Sequence, residues 1–339
     1  MRYCLFIFLS FFTFLNGRAQ FPSLLLQNSE YSGLMNPAST LIFANTVMDL
    51  RAGLGYRQAE GNWLSQEKSA ENRLGFVESG ISKNFISTGS GLSAGGYFFE
   101  ERSQAFSMDA AYLNGKIQLF LDRRPGKEFF VAAGLNIGAV QHRIRYEASG
   151  DSSTAALLNP NFFKVLPDVS TGIYLSFPAV LGKIWVQYAI PPSFRFGKVF
   201  GENGFRGFIS VGYIKELPGI GRYEIYNKLA ASSSKFKPLD SFLSGRITDY
   251  IAGVSYAPYS IPIYGGVSFN TRQEKIYFDI GTFIMLKRKG AMVGYYRGKG
   301  LSFQYTFESK GKSFPAHSLG IVLFQNMGYR QQPQGHRYF

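Results

Sequence analysis

Between Tyr264 and Phe324 the side chains change character at every second residue. Ile276, Phe278 and Ile280 alternate with Tyr277, Asp279 and Gly281; Leu301, Phe303, Tyr305 and Phe307 alternate with Ser302, Gln304 and Thr306; Leu319, Ile321 and Leu323 oppose Ser318 and Gly320. A period of two is that of a β-strand, whose successive side chains project to opposite faces. Here one face is apolar and the other small or polar over several consecutive segments. Bilayer hydrocarbon satisfies no backbone hydrogen bond, so a sheet that crosses it must close on itself and present alternate residues to lipid and lumen. The pattern therefore predicts an all-β chain forming a transmembrane, antiparallel outer-membrane β-barrel.

Composition agrees with a barrel of middle size. Of 339 residues only 17% are charged and 17% are aromatic, with 38 glycines and a mean hydropathy of −0.05, so the apolar content is spread along the chain. After residue 19 no apolar run approaches the ~18 residues of a membrane helix, which excludes a helical membrane protein. At the N-terminus, Met1-Arg2, the Phe-rich stretch Tyr3 to Leu15 and Gly17-Arg18-Ala19 before Gln20 read as a secretory signal peptide over 1–19. Cys4, the single cysteine, leaves with it, so the mature chain has no thiol, disulfide or cysteine-based metal site. Without Arg2 and Arg18 the formal net charge falls from +14 to +12. The basic residues gather at turns (Arg123, Arg124 and Lys127; Lys287, Arg288 and Lys289; Lys310 and Lys312) and not on one patch interleaved with aromatics. This points to solvated turns and lipid headgroups, with no nucleic-acid partner.

Residues 20–45 form a leader without clean alternation, expected to be extended, with a turn at Asn36-Pro37-Ala38, and lying either in the lumen or in the periplasm. Residues 46–325 form the barrel. In its first strand Met48, Leu50, Ala52, Leu54 and Tyr56 face lipid, and Asp49, Arg51, Gly53, Gly55 and Arg57 face the lumen. Further strands are expected near 74–83, 90–100, 105–120, 128–146, 168–177, 183–190, 205–215, 220–230, 248–257, 262–270, 275–286, 291–307 and 317–325. The phase blurs in 74–83 and 205–215, from bulges or from a partly buried lumen face. Reading 291–307 as one strand kinked at Gly298-Lys299-Gly300 gives fourteen strands, within a range of twelve to sixteen. Long polar connections at 58–71, 147–166, 191–203 and 231–247 follow odd strands, while short turns such as 122–127, 216–219 and 287–289 follow even ones. This is the asymmetry of external loops and periplasmic turns, and it leaves both chain ends in the periplasm. Residues 326–339 read as a flexible periplasmic tail, with Phe324 as the closing aromatic.

The chain resembles the PorP/SprF family of outer-membrane proteins from the type IX secretion and gliding systems. The likeness is carried by the signal peptide ending at Ala19-Gln20, by Asn36-Pro37-Ala38 in the leader, by Gly294-Tyr295-Tyr296, and by the closing segment His317-Ser318-Leu319-Gly320-Ile321. The glycine that follows the family's Asn-Pro-Ala is missing, Arg297 stands where the family has Asp, and Ser318 where it has Glu. The resemblance implies a non-enzymatic component that helps secreted adhesins or other cargo reach or stay on the cell surface. It also implies partners among the periplasmic machinery, and it brings no catalytic residues or cofactors. The rival readings are a fourteen-stranded channel for fatty acids or other hydrophobic compounds, and a general porin.

Catalytic chemistry finds little to work with. The three histidines, His142, His317 and His336, fall at a strand end beside Arg143 and Arg145, at a strand start and in the tail, and no Ser/His/Asp order assembles. Glu100-Glu101 and Asp240 read as loop carboxylates without calcium-loop spacing, and Gly89-x-Gly91 and Gly95-Gly96 lack the Lys-Ser/Thr ending of a phosphate loop. The lumen charges Asp49, Arg51, Arg57 and Asp279 either line a channel or pair internally. A barrel of this size has room for a plug, and the leader is the candidate for it. Tyr188, Tyr213, Tyr256, Tyr259, Tyr264 and Tyr305 are expected in the interfacial girdles.

Overall fold

The computed structural model describes residues 32–39, 46–59, 71–84, 89–102, 106–122, 128–144, 163–180, 182–190, 205–217, 220–233, 246–258, 260–271, 274–289, 295–309 and 315–329. The signal peptide, the centres of the four long connections, Trp63, Asp240, Tyr259, Gly294, His336 and the tail beyond Tyr329 lie outside these residues. Fourteen strands follow one helical turn. They are β1 (Thr46–Ala59), β2 (Glu71–Asn84), β3 (Gly89–Arg102), β4 (Phe106–Asp122), β5 (Phe129–Ile144), β6 (Phe163–Ala179) and β7 (Gly182–Ile190). The second half comprises β8 (Phe205–Leu217), β9 (Gly221–Ser233), β10 (Arg246–Pro258), β11 (Ile263–Asn270), β12 (Lys275–Lys289), β13 (Tyr295–Glu308) and β14 (Ala316–Tyr329).

Each strand pairs antiparallel with its sequence neighbours, and β1 pairs with β14 from Ala59↔Ala316 to Thr46↔Gly328, closing the barrel. Closure leaves no edge to satisfy, as a wall in hydrocarbon requires. The outer face is apolar at every level where the alternation is clean. Leu54 is 72% exposed and Leu113 75%, and Val77, Ile81, Leu92, Ile117, Ile137, Ile280, Leu319 and Ile321 stand in the same belt. At ~25 cal/mol per Å² such a surface in water would strongly favour association, whereas in lipid it is solvated. One edge of the belt carries an ionic border, where Glu100 bridges Arg73 and Arg102 and Arg73 also reaches Glu71.

Several expectations need correction. Register shifts occur at Thr46/Met48, Phe120/Asp122, Ile247/Asp249 and Met285/Lys287, not in β2 or β8. The alternation of β2 is regular. Its phase blurs in sequence because Leu74 and Phe76 point into a filled lumen while Val77 and Ile81 face outward. β13 runs unbroken through Gly298 to Gly300, and the irregularity lies across from it on β12. β12 continues to Lys289, so Lys287, Arg288 and Lys289 pair with β13 and are no turn. β6 begins at Phe163, inside the expected loop, and β14 continues to Tyr329, past the expected barrel boundary. Glu100 and Glu101 belong to β3. Tyr264 faces inward, its ring over Gly281 where a Cβ would collide with it, while Tyr213 and Tyr256 face outward and donate to the turn carbonyls of Val180 and Ile220. Phe324 faces the lumen beside Gly300.

Candidate functional site

Residues 32–39 of the chain's own leader lie inside the barrel against β4 to β7. Residues Ser32–Met35 form one helical turn, α1, followed by a 3₁₀ turn at Pro37–Ser39, so this stretch is compact and not extended. Its shape follows from Asn36-Pro37. Proline fixes its own φ and disfavours helix at the residue before it, which ends α1 at Met35. The Asn36 carboxamide oxygen then accepts from Ala38 N at 3.0 Å, an Asx turn, and its carbonyl accepts from Ser39 N at 3.0 Å and Ser39 Oγ at 2.8 Å. With the oxygen engaged, Asn36 Nδ2 is left for the wall and donates to Gln187 Oε1 at 3.0 Å and, more weakly, to the Ile173 carbonyl at 3.4 Å.

The wall answers with amides. Asn136 Nδ2, on β5, shares its hydrogens among the carbonyls of Gly33 (3.1 Å) and Leu34 (3.2 Å) and Ser170 Oγ (2.8 Å). Asn114 on β4 donates to Asn136 Oδ1 at 2.6 Å, and Gln187 on β7 donates to Ser210 Oγ on β8 at 2.5 Å. A polar ladder thus runs from β4 to β8 and supplies partners for helix-end carbonyls that have none within α1. Two glycines let the stopper approach. A Cβ at Gly134 would collide with the Pro37 carbonyl group, and one at Gly172 with the Asn36 carboxamide. Leu34 and Met35, at 0% and 1% exposure, enter an apolar cluster with Tyr97, Phe99, Tyr112, Trp185 and Phe208.

Among the described residues, twelve lumen charges fall into three groups, each holding two cations and two carboxylates; apart from these, Lys183 pairs with Glu128, and Asp168 accepts from Tyr112 at 2.9 Å. In the first, Arg51 pairs with Glu78 at 2.8 Å, Tyr97 donates to Glu78, and Lys116 lies in electrostatic range of Glu78 and Asp49. In the second, Arg57 grips Glu308 through two bonds of 2.6 and 2.9 Å, Lys275 reaches the same carboxylate at 3.2 Å, and Glu101 lies near Arg57. In the third, Trp185 Nε1 donates to Glu224 at 2.6 Å, with Arg222 4.0 Å away, and Thr306 donates to Asp279 at 2.6 Å. Lys228 lies in range of both carboxylates. Glu308, Glu78, Lys275 and Lys116 are at most 3% exposed. Buried charges persist only when paired, and groups that balance internally present no field to sort passing ions.

Of the residues singled out from sequence, Asn36, Pro37 and Ala38 meet the wall together. Asp49, Arg51, Arg57 and Asp279 face the lumen but belong to three separate groups. His317 stands on the outer face, its Nδ1 2.6 Å from Tyr305 Oη and its ring beside Phe307. Tyr295 and Tyr296 pair through their main chain with Tyr329 and Gly328. Sequence reasoning did not single out Glu78, Lys116, Gln187, Lys275 or Glu308. Strand parity was the usable signal, since each is a polar residue on the lumen side of its strand. Among the described residues no group of three or more His, Cys, Asp or Glu side chains is arranged to hold a metal ion.

No protein-family model matches the chain, and no curated protein matches it. Solved structures of similar shape include a Pseudomonas aeruginosa FadL homologue, with 10% identity over 91% of this chain and 95% of that one at a TM-score of 0.49. The β domain of the Bordetella autotransporter BrkA is 6% identical over 82% of this chain and 98% of its own, with a TM-score of 0.38. A mutant Rh. blastica porin is 8% identical over 82% and 99% respectively, with a TM-score of 0.32. The fold itself rests on the strand pairing described above.

Proposed function

We propose that this protein is a non-enzymatic outer-membrane barrel that anchors and docks components of a secretion apparatus of the type IX and gliding kind, and conducts no solute in its resting state. The reading is carried by one observation, the seating of residues 33–38 across the lumen by Asn136, Gln187 and the hollows at Gly134 and Gly172. A stoppered barrel whose interior charges are largely paired has its rims left to work with. The long connections at 60–70, 145–162, 191–204 and 234–245 all join odd strands to even ones, at one end of the barrel. That end is the side for surface adhesins or other cargo, and the opposite turns are the side for periplasmic machinery, as the PorP/SprF resemblance implies.

Two measurements test the reading. In planar bilayers the purified protein is expected to be electrically silent; a large steady conductance marks a general porin and overturns the proposal, as does uptake of a hydrophobic compound into vesicles carrying it. Deleting the gene is expected to remove a set of secreted adhesins from the cell surface. An unchanged surface proteome sinks the secretory role even if the barrel stays silent.

A further inference from the structure

An apolar cavity of about 670 Å³ opens on the outer wall where β14 and β1 to β4 meet, lined on its outer side by Leu54, Gly75, Val77, Gly96, Phe98 and Leu323. Its floor exposes edges of the inward rings of Phe76, Tyr97 and Tyr112. Gly75 and Gly96 are diagonal neighbours on this face, since Gly75 opposes Phe98 and Gly96 opposes Val77. Neither glycine is demanded by the chain's own packing. A Cβ at Gly75 would meet nothing nearer than the Leu54 side chain at 3.4 Å, one at Gly96 nothing nearer than the Tyr112 carbonyl oxygen at 3.5 Å, and neither has a positive φ. Glycine in a strand interior weakens it and marks a place where something approaches closely.

We propose that this groove holds one acyl chain of a membrane phospholipid as a specific, long-lived site. The groove is continuous with the lipid-facing belt, and the side chains around its mouth are the exposed Leu54, Val77, Phe98, Ile321 and Leu323. The lining carries no charged residue, and its two hydroxyls are turned inward, Tyr97 to Glu78 and Tyr112 to Asp168 at 2.9 Å. Arg73 and Glu100, with Arg102 beyond, stand at the next outward positions past Gly75 and Phe98, so a phospholipid headgroup there meets charges of both signs. A phospholipid keeps its headgroup at that border and delivers only hydrocarbon to the groove. The site goes beyond the docking role proposed above and depends only on the wall standing in lipid.

The test uses the full-length protein in detergent and phosphatidylcholine spin-labelled midway along one acyl chain. Electron paramagnetic resonance is expected to show one strongly immobilised chain per barrel. The double variant Gly75→Leu with Gly96→Leu fills the groove and is expected to weaken retention roughly tenfold or more. Gly75→Ala with Gly96→Ala gives an intermediate loss if the larger variant does not fold. Gly115→Leu, also outward and with nothing within 4 Å of its added Cβ, lies outside the groove and is expected to change nothing. Equal immobilisation in all variants means annular lipid only and overturns the site. Displacement by a free fatty acid at lower concentration than by phospholipid, or a dimer cross-linked through this face, overturns the assignment of its occupant.

Discussion

Gly134 and Gly172 face the lumen, Gly75 and Gly96 face the lipid belt, and the two pairs lack side chains for opposite reasons. Inside, any added carbon would run into Pro37 or Asn36, so the hollow is filled by the leader and fixed by the amide ladder from Asn114 to Ser210. Outside, an added carbon finds ordinary contact distances of 3.4 and 3.5 Å, so the hollow is not used by the chain at all. The same residue thus serves a finished internal fit on one surface and an open external one on the other. The contrast separates what the barrel does to itself from what it offers to its surroundings.

The largest expected effect comes from filling the inner hollows. Gly134→Val together with Gly172→Val should unseat residues 33–38 and return Leu34 and Met35 to water, each worth about 1.5–3 kcal/mol of burial. Amide hydrogen exchange across 33–38 should then rise to the rate of an open segment, and the silent bilayer recordings should give way to conductance. Unchanged protection of these amides would mean that the stopper is not held by close approach. Asn136→Ala is the next in size. It leaves the Gly33 and Leu34 carbonyls without their shared donor at about 1–3 kcal/mol. Exchange in the same segment should quicken by roughly tenfold or more, with the barrel's own unfolding little altered. A barrel destabilised as much as the stopper would show that the ladder serves the wall instead.

How much of this was legible beforehand follows from strand parity. The closed antiparallel wall and the sides taken by Asp49, Arg51, Leu54 and Ile280 come straight from alternation, because a closed wall between two solvents enforces it residue by residue, whereas the count of fourteen also needed 291–307 to be read as one strand. Alternation weakens where the lumen is itself apolar. Leu74 and Phe76 read as ambiguous because they join the core around the stopper, and Tyr264 read as a girdle residue because nothing local distinguishes a ring over Gly281 from one in an interface. Asn36-Pro37-Ala38 announced a turn, but Gln187, the partner of Asn36, lies 151 residues away, and Asn136 lies 103 and 102 residues from the Gly33 and Leu34 carbonyls it holds, so no local pattern joins them. Lys116 and Glu78 likewise become a pair only once β1 to β4 are laid side by side.

The smallest expected effect is the sharpest test of the contrast. Gly172→Ala adds one carbon against an Asn36 carboxamide that cannot swing aside, because its oxygen holds Ala38 N and its nitrogen holds Gln187. Gly96→Ala adds the same carbon where the nearest atom stands at an ordinary van der Waals distance. Alanine also restricts the unfolded chain more than glycine does, so Gly96→Ala should leave stability unchanged or raise it by about 0.4–1 kcal/mol. Gly172→Ala should lower it by about 1–3 kcal/mol of overpacking. Urea unfolding of the two variants in lipid vesicles, followed by tryptophan fluorescence, compares them directly. If Gly96→Ala is as costly as Gly172→Ala, the outer glycines are held by packing within the wall and the external hollow is not vacant. If it is neutral or stabilising, the strand carries a glycine that its own folding does not ask for, and the external hollow is free to take an occupant from the membrane.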